Sequence, residues 1–391
     1  MEYVNNELCL GPLKKALLPL CANYMRPIYV YDLDFISQRY QAMKRALGPT
    51  RLFYAVKANP NVEILQRLKR LGAGADVVSL GEIKRALESG FSVQDIVYSG
   101  VGKTRHEITE ALKLGIYQIN VESLPELERI GSLAKSMGKK ASVALRLNPD
   151  IDIKTHPYIA TGLKDNKFGM ELSLIPELVK CLKSHEDSIE LVGVSLHLGS
   201  MMMEFSGYKE ALQILKKIYV DLQKQFPTLK RFDFGGGLGI FYDRLDLELE
   251  ESLLRDYAKI TLETLSDLNC ELQSEPGRWL VGHCGALITQ VQYIKKTSAK
   301  TFLVVDSGMN HLIRPSLYEA DHLILPLVKS QENMKADVVG PICESSDFFA
   351  KDRTLGKVSE GDFVAVMDSG AYGYSMASVY NLQELPLEIC I

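Results

Sequence analysis

From about Arg26 onward the sequence alternates short β-rich runs with amphipathic, charged segments, and that rhythm leaves few folds open. The β-rich runs span residues 52–57, 75–79, 96–99, 118–122, 142–147, 191–197, 231–234 and 271–275. Helical stretches such as 62–71, 80–89, 105–114, 124–136 and 208–225 lie between them. Several stop at a glycine: Gly72, Gly90, Gly115 and Gly138. Strand–helix alternation implies parallel strands joined by right-handed crossovers. Eight such units fill the roughly 250 residues of a (β/α)8 TIM barrel, with an open doubly wound sheet as the competing fold. Polar residues at the strand ends decide between the two. Lys57, Ser99, Arg146, His197, the Gly235-Gly236-Gly237 run and Glu275 all fall where successive strands stop. A barrel gathers those ends on one face, where barrel active sites are built, whereas an open sheet spreads them along an edge.

After Trp279 the rhythm changes. Runs at 286–294, 300–306, 337–340 and 362–368 are β-rich, separated by turn signals at Gly308, Pro341 and Glu360-Gly361. The expected architecture is therefore α/β: a (β/α)8 TIM barrel over residues 28–279 and an all-β domain over 280–391. Residues 1–27 are assigned to the β domain by position.

Composition removes several function classes. The net charge is −4 and no lysine- or arginine-rich block occurs, which excludes nucleic acid and anionic membrane as expected partners. Residues 1–7 contain no basic segment followed by an apolar one, so no secretory signal is visible. The apolar stretch 191–203 is interrupted by Ser195, His197 and Ser200 and is too short to span a bilayer. The seven cysteines are scattered, odd in number and without C-x-x-C spacing, which points to reduced thiols in a cytoplasm. No histidine pattern supports a metal site.

Individual motifs each admit two readings. Lys57 ends a strand and is followed by Ala-Asn-Pro. At the rim of a core, lost hydration favours a neutral, nucleophilic amine, but a lysine there can equally snorkel into water. The triple glycine follows the seventh strand, where barrels often bind phosphate through backbone N–H groups, or it forms only a tight turn. Ser99-Gly100-Val101-Gly102-Lys103-Thr104 looks like a P-loop but would need glycine where Val97 stands, inside a strand. Glu275 and Arg278, held apart by Pro276-Gly277, form either a structural ion pair or a charged-ligand site, and their position favours the ligand. His197 is a core histidine or the wall for a flat aromatic ligand. In the β domain, Cys343 abuts Glu344 in an expected semi-buried setting.

Taken in order, these motifs resemble those of the pyridoxal-phosphate-dependent decarboxylases of alanine-racemase fold, over nearly the whole chain. The resemblance is carried by Tyr54-Ala-Val-Lys57-Ala-Asn59, Gly100-Val-Gly-Lys-Thr104, Asn120-Val-Glu-Ser123, and Lys154-Thr-His-Pro-Tyr158 with Gly162-Leu163 and Asn166-Lys-Phe-Gly169. It continues through His197-Leu-Gly-Ser200, the triple glycine, Glu275-Pro-Gly-Arg278, Arg314-Pro-Ser-Leu-Tyr318 and Cys343-Glu-Ser345 with Asp347. It implies pyridoxal 5'-phosphate as cofactor, held by Lys57 as a Schiff base. His197 would stack on the pyridine ring, Ser200, Gly235, Gly236, Gly237 and Arg278 would hold the phosphate, and Gly277 would also bind the cofactor. Glu275 would pair with the ring nitrogen, which keeps the ring a strong electron sink and suits loss of carbon dioxide.

The same resemblance places Arg278, Arg314, Tyr318, Glu344 and Tyr372 at the substrate, with Tyr372 also at the cofactor. Cys343 would return a proton to the carbon that loses carbon dioxide. Cys343 and Glu344 would come from a partner subunit, implying a homodimer with shared sites. The implied reaction converts meso-2,6-diaminopimelate into L-lysine and carbon dioxide. Its second amino-acid head suits a guanidinium and a carboxylate. A decarboxylase for another amino acid or a carboxylated polyamine precursor is the competing reading. A non-catalytic cofactor-binding relative is argued against by Lys57, Glu275, Cys343 and Glu344. Met201-Met202-Met203 depart from the family, which usually continues with a polar residue after Ser200.

Overall fold

The computed structural model describes residues 2–151, 166–242 and 246–391. The Lys154–Tyr158 and Gly162-Leu163 parts of the resemblance lie outside the described residues. By internal contact the chain divides into two units. One comprises residues 40–239 and 248–277, the other residues 1–39, 240–247 and 278–391.

The first unit is the expected barrel. Its strands are β1 (Arg51–Ala55), β2 (Gly74–Val77), β3 (Ile96–Tyr98), β4 (Gln118–Val121), β5 (Ala141–Asn148), β6 (Ile189–Ser195), β7 (Arg231–Asp233) and β8 (Glu271–Ser274). Each pairs in parallel with the next, and β8 pairs with β1 to close the ring. Helix α1 (Leu33–Leu47) precedes β1. The crossovers carry α2 (Val62–Arg70), α3 (Leu80–Glu88), α4 (Arg105–Leu114), α5 (Leu124–Ser136), α6 (Ile175–Ser184), α7 (Ser206–Gln225) and α8 (Leu247–Leu265).

Local chemistry explains where these helices start and which face they bury. Asn61, Ser79, Thr104 and Ser123 each accept backbone N–H bonds at the first turns of α2, α3, α4 and α5, and each such cap contributes about 1 kcal/mol. Thr104 and Glu107 form a reciprocal capping box. Apolar residues at spacings of three and four, such as Ile64, Leu65 and Leu68 or Ile108, Ala111 and Leu112, form the buried stripes.

The barrel interior is unusually polar for a fold whose lumen is commonly filled by branched aliphatics. Asn120 at β4 donates to Glu275 beyond β8, a bond that crosses the lumen because three strands separate the two. At the N-terminal end of the strands, the Arg231 guanidinium lies 3.6 Å from the Tyr117 ring centre, and Arg51 lies 4.3 Å from the same ring. Arginine–aromatic stacking thus closes one end of the barrel and leaves the C-terminal end for chemistry.

The second unit is mostly β. Strands β9 (Gly285–Lys296), β10 (Thr301–Val305), β11 (Ile324–Pro326), β12 (Asn333–Val339), β13 (Phe348–Gly356), β14 (Phe363–Val366) and β15 (Leu387–Cys390) form one sheet system. The strand Ile28–Tyr31 completes it, antiparallel to β9 and parallel to β15. A small sheet of Glu2–Val4, Glu7–Leu10 and Lys15–Ala16 precedes it. Leu8, Leu10, Leu17, Ile28, Val30, Ile288, Leu327, Ala365 and Met367 pack in one core, and residues 1–39 fall in this unit. Two short helices, α9 (Arg278–Val281) and α10 (Arg314–Tyr318), carry Arg278 and Arg314. Among the described residues no helix is long and apolar enough to cross a membrane.

Candidate active site

In the barrel, β1 ends at Ala55 and the chain makes a single helical turn, Val56–Ala58, that presents Lys57 at the strand end. Ala55 N–H bonds the Pro276 carbonyl at 3.0 Å, which ties this turn to the segment after β8. The Lys57 amine lies 2.9 Å from Asp76 Oδ2, and its side chain is 35% exposed while that of Asp76 is wholly buried. Lys57 is therefore not a snorkelling surface lysine. It neutralises a carboxylate that could not stay charged in the core alone. Among the described residues Asp76 Oδ1 has no hydrogen-bond partner.

Glu275 follows β8 and is also buried. Its Oε1 receives Asn120 Nδ2 at 3.1 Å and Ser99 Oγ at 3.4 Å. Burial pushes its carboxyl well above the usual carboxylate range, and the nearby Asp233 and Asp76 push the same way against an opposing pull from Lys57. Asp233, the last residue of β7, is fully buried and is also raised, chiefly by burial. Two carboxyls so placed cannot both be charged, and Glu275 is the one held neutral.

Asp233 has a second task. Its Oδ1 accepts the Gly235 N–H at 2.8 Å, and this bond folds the glycine turn back on its own strand. The turn admits no side chain at any of its three positions. A Cβ on Gly235 would sit 2.3 Å from Leu196 O, one on Gly236 2.2 Å from Glu275 O, and one on Gly237 2.4 Å from Gly199 O. Gly235 and Gly237 also adopt positive φ, +73° and +95°. Gly236 N–H reaches His197 Nδ1 at 3.4 Å. Among the described residues the Gly237 N–H has no acceptor.

His197 is half-buried, and burial followed by the charges of Arg146 and Lys57 pushes its pKa well below the usual imidazole value. The ring is neutral, with Nδ1 as acceptor and the proton on Nε2. Arg146 is itself held by Glu122 at 2.7 Å, and Glu122 also receives the N–H groups of Gly100 and Gly169. Ser200 is half-buried at the end of the turn that begins with His197. The methionines beyond it tie that turn to the glycine run: Met202 N–H bonds Gly237 O at 2.9 Å, and Gly239 N–H bonds Met202 O at 3.0 Å. Gly277 is buried directly after Pro276. Lys103 is no phosphate lysine, because its amine is spent on Gly100 O, Asn120 O and Glu126 Oε1 at 2.6–2.7 Å.

The β unit gathers a second cluster. Arg278 and Arg314 are both buried. Arg278 donates to the Tyr242 hydroxyl at 2.6 Å and lies 4.7 Å from the Tyr372 ring centre. Arg314 lies 4.8 Å from the Tyr242 ring and 5.8 Å from the Tyr318 ring, and bonds His322 Nε2 at 3.3 Å. Tyr372 adopts a positive φ of 55°, a conformation that non-glycine residues hold only where their surroundings impose it.

Cys343 and Glu344 lie in the turn that follows Ile342. Both are exposed, which corrects the expected semi-buried setting of Cys343. The reason is a tight turn organised from within. Asp347 accepts the N–H groups of Met309 and Ile342, each at 2.6 Å, so the turn closes on Asp347 and Cys343 faces outward. Cys343 N–H bonds Asn381 Oδ1 at 3.0 Å, and Glu344 receives the Tyr380 hydroxyl.

Sequence reasoning missed Asp76, Asp233, Tyr242 and His322. For the two aspartates a signal existed: each is an acid flanked on both sides by apolar residues, Ala75-Asp76-Val77 and Phe232-Asp233-Phe234. Tyr242 and His322 carry no such mark.

The family described as "Pyridoxal-dependent decarboxylase, pyridoxal binding domain" matches residues 33–282. The chain is similar to the diaminopimelate decarboxylase of Aquifex aeolicus (strain VF5), with 41% identity over 392 residues, covering 100% of this chain and 92% of that protein. Its identity to the diaminopimelate decarboxylase of Helicobacter pylori (strain J99) is 45% over 377 residues, covering 95% and 92%. The crystal structure of diaminopimelate decarboxylase from Helicobacter pylori complexed with L-lysine superposes with a TM-score of 0.89 at 44% identity, covering 96% and 93%. Identity of this order, sustained along nearly the whole length on one shared fold, is common descent: the chain belongs to the diaminopimelate decarboxylases, within the pyridoxal-dependent decarboxylases.

Proposed function

We propose that this protein removes one carboxylate of meso-2,6-diaminopimelate as carbon dioxide and yields L-lysine, with pyridoxal 5'-phosphate as cofactor. The barrel residues fit that group. Lys57 offers an amine at a strand end, the glycine turn leaves the Gly237 N–H without an acceptor among the described residues, and a neutral histidine stands half-buried alongside. In this reading Lys57 holds the cofactor and His197 stacks on its ring. Ser200, Gly235, Gly236, Gly237 and Arg278 hold its phosphate, and Gly277 and Tyr372 also contact the cofactor. Glu275 would pair with the ring nitrogen. A carboxyl kept neutral by burial has a proton to give to that nitrogen and becomes the carboxylate that stabilises the resulting cation. The bound cofactor supplies the sink for the electron pair left when the C–CO2 bond breaks.

The substrate assignment rests on one observation. Arg314 is 4% exposed and makes no salt bridge among the described residues. A buried guanidinium without a carboxylate is costly unless a ligand supplies one. The second amino-acid head of diaminopimelate does so, with Tyr318 beside it and Glu344 for its ammonium. Arg278 takes part at the substrate as well as at the phosphate.

Cys343 returns the proton to the carbon that has lost carbon dioxide. Its exposure, next to the exposed Val379, Tyr380 and Leu382, supports a homodimer in which Cys343 and Glu344 serve the partner's reaction. None of the seven cysteines is in a disulfide, which supports a reducing, cytoplasmic setting.

The test is carbon dioxide release by the cofactor-loaded protein from meso-diaminopimelate, L-lysine, L-ornithine and L-arginine. Equimolar L-lysine and carbon dioxide from meso-diaminopimelate alone is the expected result. Faster turnover of L-ornithine or L-lysine would replace this assignment with a polyamine-precursor decarboxylase. No turnover on any of the four would revive the non-catalytic reading.

A further inference from the structure

Arg314 opens helix α10, and among the described residues what fixes its guanidinium is a single directional bond. The tyrosine rings at 4.8 and 5.8 Å hold it near a face but leave rotation in the plane open. The bond from Arg314 Nε to His322 Nε2, at 3.3 Å, removes that freedom. His322 is wholly buried, and its other nitrogen, Nδ1, lies 2.8 Å from the Met367 carbonyl. A carbonyl oxygen only accepts, so Nδ1 carries the proton and Nε2 presents a lone pair. The frame behind the ring is tied down as well, since Met367 N–H bonds Leu323 O at 2.8 Å, one residue from His322. The Tyr242 ring packs edge-on against the imidazole at 4.9 Å. Burial, then the charge of Arg314, pushes the imidazole down to about 3. It remains an acceptor over the whole working pH range.

We propose that His322 is a positioning residue for substrate choice: it takes one donor of Arg314 and leaves the two terminal nitrogens oriented for the carboxylate of the substrate's unreacted amino-acid head. The inference rests on the reading of Arg314 given above. Its physical logic lies in the kind of partner used. A carboxylate in place of His322 would orient the guanidinium but also neutralise it, and would compete with the substrate. A neutral imidazole orients without neutralising. The full positive charge and a two-pronged donor face stay available for a planar anion.

L-lysine keeps the carboxylate that Arg314 would grip, and 1,5-diaminopentane lacks it. Dissociation constants of both are measured by calorimetry on the cofactor-loaded protein, together with kcat and KM for meso-diaminopimelate. In His322→Leu, L-lysine should bind about tenfold more weakly while 1,5-diaminopentane stays within about twofold, and KM should rise about tenfold with kcat little changed. His322→Gln, whose amide can accept from Nε and donate to Met367 O, should restore most of the preference. His322→Phe keeps the volume and carries the same expectation as the leucine variant where that variant does not fold. An unchanged preference for L-lysine in both apolar variants overturns the proposal. So does an equal loss of both ligands, which marks a packing role. A wild-type protein with no preference for L-lysine, or an Arg314→Ala variant that keeps it, shows instead that the reading of Arg314 has failed and takes the proposal with it.

Discussion

The candidate site in the barrel unit buries three acids at strand ends, Asp76, Asp233 and Glu275, whereas the cluster in the β unit buries two arginines, Arg278 and Arg314, among tyrosines. In the barrel, Asp76, Asp233 and Glu275 share one low-dielectric region with a single lysine, and the strain is relieved by pairing one acid and protonating another. In the β unit, Arg278 and Arg314 are surrounded by Tyr242, Tyr318, Tyr372 and His322, all of them neutral groups. The contrast separates two tasks. Acids in short supply of cations can tune a bound cofactor's ring, because their protons move when its charge changes. Arginines in aromatic surroundings hold a fixed charge for an anion to find.

Breaking the barrel side should have the largest effects. Lys57→Ala is expected to lower kcat about 10^4-fold and to abolish the visible absorbance of the loaded protein. Retained absorbance and turnover would remove Lys57 from the cofactor. Next comes Glu275→Gln, expected to lower kcat about 10^3-fold on every substrate. Its effect on stability should run the other way. Folding raises the Glu275 pKa above its ordinary 4.5, so its contribution is fully present below that value and is lost as pH climbs through the raised one. Cofactor-free Glu275→Gln should therefore match the wild type below pH 4.5 and melt increasingly higher than it as pH rises above that value. A lower melting temperature at pH 8 would show that Glu275 is charged and well paired.

Asp233→Ala should act more mildly. It frees the Gly235 N–H and relieves the acid crowding around Glu275, so the cofactor dissociation constant should rise about tenfold while the fold survives. An unchanged dissociation constant would confine Asp233 to packing. Smallest of all is Thr104→Ala, which removes one half of the α4 capping box. It should cost about 1 kcal/mol in denaturant unfolding and leave kcat and KM unchanged.

The two units were not equally legible in the sequence. The barrel was readable because parallel crossovers repeat, and because a polar residue at the end of each apolar run is a position as well as a composition. Lys57, His197, the glycine run and Glu275 could be assigned to one face by counting strands. Asp76 and Asp233 were passed over although each is flanked by apolar residues, because their meaning lies in partners on neighbouring strands. In the β unit the groups sit on turns and short helices, where no period marks them. Arg314 and Tyr318 emerged only through family resemblance. His322 is indistinguishable from any loop histidine until the Met367 carbonyl and the Arg314 Nε are seen on either side of its ring. Cys343 was expected half-hidden because Pro341-Ile342 precedes it, but the Asp347 bonds turn the chain and leave the thiol outside.

The division of labour between acids and bases is tested most directly by kcat and KM of Arg314→Ala and Glu275→Gln on meso-diaminopimelate, measured side by side with the cofactor-loaded wild type. The account expects Arg314→Ala to raise KM about 100-fold with kcat nearly kept, and Glu275→Gln to lower kcat with KM nearly kept. A fall in kcat alone for Arg314→Ala, or a rise in KM alone for Glu275→Gln, would contradict it.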